Sequence, residues 1–320
     1  MVPYGEDDTV RLMPARPLPR RRPRWMLPAA GAALLILAGG GLGAFLLLRP
    51  APEPIAGAPA ASAVPRLALA SEAEILASRA PELTVRRLAE NPAILVLDFP
   101  GLAEQARMLN RVAALVEKAG LPRDRLLDDA ALAVAVQADG GTAESFYYGH
   151  NYRASDLARF FAFADRDRVP LTPEEERLRG LARELGWLQP GAAGALVSLP
   201  QAGVEPWLDM RARATMLRHE LSHGEFFTNP AYAAHVWRFW REALAEEERA
   251  RLRATLAHAS YDPSIEEVMA NEAQAFLFHT PDERFFSPAS LGFTAERLAA
   301  LRAFFVAGMP AGWLRDALAR

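Results

Sequence analysis

The run His219-Glu220-Leu221-Ser222-His223 sets two imidazoles and a carboxylate where a divalent metal and a water can be worked together. Residues four apart on an α-helix lie about one turn apart and leave the same face, so His219 and His223 can take two corners of one tetrahedral zinc site. Glu220, next to the first imidazole, is then in reach of a metal-activated water as its general base. The chain has only six histidines, so two flanking a glutamate at these offsets is an uncommon accident. The competing reading is a pair of core histidines satisfied by backbone carbonyls.

A helix must carry these residues. From Leu208 a 3.6-residue period selects Leu208, Ala212, Thr215, Met216, His219 and His223 as one stripe, which turns both histidines inward. Pro206 and Asp209 suit its first turn, and Gly224 is expected to end it in the left-handed conformation. A third ligand has to come from elsewhere. The metzincin pattern requires Gly at 226 and His at 229, where this chain has Phe226 and Asn229. Downstream, Ser264-Ile265-Glu266-Glu267 reads as a capping box that employs Glu266 and Glu267 without a metal. The helix that follows has the apolar stripe Ile265, Val268, Met269, Glu272, Phe276. A carboxylate amid a buried face is costly unless it meets a cation, so Glu272 asks for a metal or a buried arginine.

Asn271-Glu272-Ala273-Gln274-Ala275-Phe276, lying downstream of the His-Glu-Leu-Ser-His segment, resembles the Asn-Glu segment of the gluzincin branch of zinc metallopeptidases, the thermolysin-like and aminopeptidase-like enzymes. The resemblance covers two short motifs within residues 194–280. It implies His219, His223 and Glu272 as the ligands of one zinc ion, with Glu220 as the catalytic base. Two positions depart from it. Thermolysin-like enzymes carry an aspartate four residues after the ligand glutamate, where Phe276 stands, and Glu225 follows the motif at a position that is usually apolar in zincins. The group that orients His219 is therefore unassigned by the motifs.

The remaining chain indicates where such a site works. Residues 26–48 contain no charge and as a helix run about 34 Å, enough to cross a hydrocarbon core of about 30 Å. Arg11, Arg16, Arg20, Arg21, Arg22 and Arg24 precede this run and Arg49 alone closely follows it, which keeps residues 1–25 in the cytoplasm as a basic tail. Ala58-Pro59-Ala60 and Ala61-Ser62-Ala63 have the small-residue spacing of a signal-peptide cleavage site, but they stand far beyond an apolar run longer than a signal requires. An uncleaved anchor is the expectation, with a single-pass bacterial membrane protein whose catalytic domain is periplasmic or extracellular. Gly39 and Gly43 offer a small-xxx-small face for a homodimer through the transmembrane helix. Residues 49–65 are Ala/Pro-rich and read as a semi-extended linker.

Residues 66–320 are long enough for one extracytoplasmic domain with a sizeable core. The fold expectation is α+β, a predominantly helical zincin-like catalytic domain with a small sheet, preceded by the transmembrane helix. Strands are expected at 93–99, 131–136 and 195–199, with helices from 101 to about 119 and from the Thr172-Pro173-Glu174-Glu175 capping box to about 185. By resemblance, residues 194–200 are a candidate for peptide docking by strand addition, an ordinary sheet strand being the other reading. Segment 146–153 holds three of the six tyrosines and reads as a cleft-lining or a packed aromatic loop. Tyr148, His150, Tyr232, Tyr261 and His279 are open candidates for stabilising a transition state. The absence of cysteine excludes disulfides, thiolate zinc ligands and a cysteine nucleophile. A net charge of −3 gives no reason to expect nucleic acid as a partner. Lys118 is the one lysine among 36 basic residues, the mark of a GC-rich genome. The function expected is a zinc-dependent hydrolase, foremost a peptidase acting on a peptide or protein substrate. A non-catalytic binding module on a zincin scaffold and a cell-wall peptide amidase are the alternatives.

Overall fold

The computed structural model describes residues 67–319. The tail at 1–25, the span at 26–48 and the linker at 49–65 lie outside them, and among the described residues no helix is long and apolar enough to cross a membrane. In chain order the elements are β1 (Leu69–Ala70), α1 (Glu72–Ala77), β2 (Thr84–Leu88), β3 (Ile94–Phe99), α2 (Leu102–Val116), α3 (Asp129–Ala138), β4 (His150–Arg153), α4 (Ala154–Asp167), α5 (Pro173–Glu184), β5 (Ala195–Pro200), α6 (Met210–Thr228), α7 (Pro230–Arg238), α8 (Glu246–His258), α9 (Glu266–His279), α10 (Ala295–Gly308) and α11 (Trp313–Ala319). The architecture is α+β, mostly helical, with one small mixed sheet in the order β1-β2-β3-β5-β4.

The sheet is buried on both faces because its central strands carry apolar residues at successive positions. On β3, Ile94 and Val96 join Val197, Leu199, Leu217 and Leu221 on one side, while Leu95, Leu97 and Phe99 join the larger core on the other. β3 and β5 run parallel, and β4 pairs antiparallel with β5 to form one edge. Leu217 and Leu221 lay α6 on the sheet, which leaves the histidines of that helix facing α9.

Four expectations change. Residues 131–136 are part of the helix α3, opened by Asp128, whose side chain accepts from Ala131 N at 2.8 Å. A short apolar run does not by itself distinguish strand from helix, and here alanine content and the cap decide. Gly224 does not end the motif helix, which continues to Thr228. A Cβ at Gly224 would stand 2.9 Å from Ile94 Cδ1, so this glycine lets α6 approach β3. Ser264 makes no capping box: its N–H and hydroxyl both donate to Asp262 Oδ1, and α9 begins at Glu266. Finally, β5 lies between β3 and β4 with both edges paired, which removes it as a site for strand addition. The capping box of Thr172 and Glu175 is present as expected.

Candidate metal centre

α6 and α9 bring together the three residues that the motifs single out. His219, His223 and Glu272 each offer one ligand atom within 4.8 Å of the others. The two histidine Nε2 atoms are 3.0 Å apart, and each stands 3.5 Å from a Glu272 oxygen. Bonds of 2.0–2.1 Å to a tetrahedral zinc would set neighbouring ligand atoms about 3.3 Å apart, and these separations bracket that value. Among the described residues no arginine pairs with Glu272. Its Oε2 is buried with no hydrogen-bond partner, an expensive state for a carboxylate that is 2% exposed unless a cation sits before it. The donor set therefore fits one zinc ion with an open fourth position.

The proton inventory agrees. Burial pushes the His219 imidazolium down to about 3 and that of His223 to about 4, the latter despite the opposing charge of Glu272. Both rings are neutral at pH 7, as metal ligation requires. The tautomer of His219 can be read from its neighbours. The Thr280 hydroxyl donates its one proton to Ala275 O at 2.9 Å, so toward His219 Nδ1, also at 2.9 Å, it can only accept. Nδ1 therefore carries the hydrogen, and the Nε2 lone pair faces Glu272 and His223. Phe276, where thermolysin-like enzymes have aspartate, packs edge-on against the His219 ring at 4.7 Å between centroids. Thr280 takes the orienting role.

Glu220 leaves the same helix beside the cluster. Asn151 Nδ2 donates to its Oε2 at 3.0 Å, and a Cβ at Gly149 would fall 2.1 Å from its Oε1. A side chain there would push the carboxylate from this position. Burial raises the proton affinity of Glu220, Asn151 lowers it and the Glu272 charge raises it again. For Glu272 burial also dominates upward, opposed by His223 and by a hydrogen bond from Tyr261. Asn151, Asn271 and Glu272 line a cleft of about 260 Å³ together with Glu117, Arg123, Arg153, Asp156, Arg159 and Glu267.

The five open candidates separate. Tyr261 touches the cluster through Glu272. Tyr232 donates to Gln274 Oε1 at 2.6 Å and accepts from His279 Nε2 at 3.1 Å, while Gln274 Nε2 donates to Ser222 Oγ. That network ties α6, α7 and α9 behind the metal residues. His150 Nδ1 pairs with the Tyr152 hydroxyl at 2.7 Å, and Tyr148 packs on Trp207. Segment 146–153 is thus part packed aromatics and part edge strand, with Asn151 as its contribution to the site. Glu225 is explained as well: Asn91, Asn229 and the Trp313 indole all donate to it. Asn151, Gly149, Thr280 and Glu117 were missed in the sequence. Only Gly149 and Asn151 left a signal, as members of the tyrosine-rich segment 146–153 that was open to a cleft-lining role.

Comparison of the chain with protein-family models, curated proteins and solved structures found no match.

Proposed function

We propose that the protein is a membrane-anchored zinc-dependent hydrolase of gluzincin type, most readily a peptidase, working outside the cytoplasm. The observation that carries this reading is the convergence of His219, His223 and Glu272 from two helices onto one point, with Glu220 beside it. When bound, zinc supplies a Lewis acid that polarises a carbonyl and lowers the pKa of water. His219, through its Thr280-fixed tautomer, His223 and Glu272 would hold it. Glu220 takes the proton of the attacking water and hands it to the leaving amine, a role that suits a buried carboxylate with raised proton affinity. Asn151 and Gly149 keep that carboxylate aimed. β4, an edge strand whose Asn151 and Arg153 line the cleft, is the element available to an extended peptide.

The test is metal content and turnover of the full-length chain. His219→Ala, His223→Ala and Glu272→Ala should each remove most of one bound zinc. Glu220→Gln should keep zinc and thermal stability while losing about 10²–10⁴ in rate on peptides that the wild type cleaves. A wild type without zinc, or full zinc in Glu272→Ala, defeats the centre. Zinc-loaded protein that cleaves neither peptides nor cell-wall cross-links, and whose cellular role survives Glu220→Gln, favours the binding module.

A further inference from the structure

Four carboxylates line the cleft beside the metal residues, and three are accounted for. Glu272 faces the histidines. Asp156 accepts from Arg153 N and pairs with Arg159, and Glu267 pairs with Arg153 at 2.5 Å. The fourth is Glu117, at the C-cap of α2. It is 4% exposed, and among the described residues its carboxylate makes no hydrogen bond or ion pair. The nearby cations are committed elsewhere. Lys118 Nζ bonds Asp139 Oδ2 at 2.8 Å, and Arg123 donates to Ala114 O, Lys118 O and Asp262 Oδ2.

Glu117 is also held firmly. Asp262 N donates to Glu117 O at 3.0 Å, and a β-bridge joins Lys118 to Tyr261, whose side chain reaches Glu272. The charges of Glu272 and Glu220 both act on Glu117, adding to the cost of burying it. Burial is the main cause that raises the proton affinity of Glu117, with Lys118 and Arg123 opposing it, so its ionised form in the cleft calls for a cation placed directly against the carboxylate, which neither of those side chains supplies. A second metal is a poor occupant, since His219, His223 and Glu272 are the one metal-holding group found among the described residues and Glu117 is not part of it.

We propose that Glu117 is a substrate-binding residue that pairs with a primary ammonium group of the substrate within the cleft beside the metal centre. This rests on the hydrolase reading and narrows it to peptides with a free amine close to the scissile bond. The cleft's volume of about 260 Å³ falls below the usual range for ligand pockets and suits a chain end. Either an α-amine or a lysine side chain supplies the group.

The experiment is calorimetric binding to the full-length, zinc-loaded protein, using leucinamide, N-acetyl-leucinamide and N-acetyl-lysinamide as probes that need no turnover. Binding of leucinamide with at least tenfold loss on N-acetylation identifies the α-amine. Binding of N-acetyl-lysinamide but not N-acetyl-leucinamide identifies the side-chain amine. In either case Glu117→Gln should lose at least tenfold for the amine probe, with zinc content and melting temperature unchanged, and Glu117→Asp should recover part of it. Equal binding of amine and acetylated probes, no binding of any, or amine binding untouched in Glu117→Gln overturns the proposal. Because the probes report binding alone, a protein that binds amines through Glu117 yet cleaves nothing would sink the hydrolase reading and leave this site standing.

Discussion

A single hydroxyl decides how one of the candidate metal ligands is presented. Thr280 can only accept from His219 Nδ1, because its proton is given to Ala275 O. Groups that orient metal-bound histidines are typically worth 10–100-fold in metal affinity. Thr280→Val should therefore weaken zinc binding by about that factor in competition with a chelator, while Thr280→Ser restores it. Unchanged affinity in Thr280→Val would mean that packing alone, through Phe276 against the ring, orients His219. Thr280 stands just past the end of α9 and eight residues beyond Glu272, so no spacing rule on that helix points to it.

The elements are held in register by close approach. α6 meets β3 at Gly224, and α6 is also fixed at its other end by Arg213, whose buried guanidinium pairs with Asp98 of β3 at 3.0 Å and donates to Pro200 O and Ile75 O. In an unencumbered helix, Gly→Ala stabilises by about 1 kcal/mol. At Gly224 the new methyl would meet three carbons of Ile94 at 2.9–3.1 Å, and overpacking of this kind costs about 1–3 kcal/mol. Gly224→Ala should thus lower stability in urea denaturation, against its propensity, and the loss should shrink when Ile94→Val is added. A stabilised Gly224→Ala would show that the helix can slide off the strand without cost.

For the molecule as a whole, buried neutral imidazoles make acid the natural denaturant. His150 lies fully buried, and burial pushes its proton affinity down to about 3, whereas an unfolded chain takes that proton near 6.5. The denatured state then binds more protons between these values, so stability is full above about pH 6.5 and falls as the pH drops toward 3. At pH 5 the contribution of one such group is ~2 kcal/mol. His150→Gln should flatten the decline in urea midpoint between pH 7 and 5 relative to the wild type, and an unaltered slope would mean that His150 gains a proton in the fold. The proposed topology has its own test. A reporter fused after residue 70 should be active only if it works outside the cytoplasm, and the full-length chain should stay with membranes. A soluble form starting near Ala61 or Val64 would replace the anchor with a cleaved signal.

The local facts were legible in the chain: that 219–223 is helical with both histidines on its inner stripe, that Glu272 lies on the buried stripe of a second helix, that strands fall at 93–99 and 195–199, each within a residue of where the structure has them, and that Thr172 opens a helix. These follow from periodicity and from side chains acting on backbone a few residues away. Tertiary structure decided what depends on distant partners. Asn151 and Gly149 reach Glu220 only because β4 pairs with β5 beside α6, and Glu117 faces the cleft only because the end of α2 is bridged to Tyr261. Gly224 looked like a helix terminus because its freedom from a side chain is visible in the sequence, while the Ile94 that needs that freedom is 130 residues away. Ala131–Val136 failed for the opposite reason, since a short apolar run fits either element until its cap and its neighbours choose.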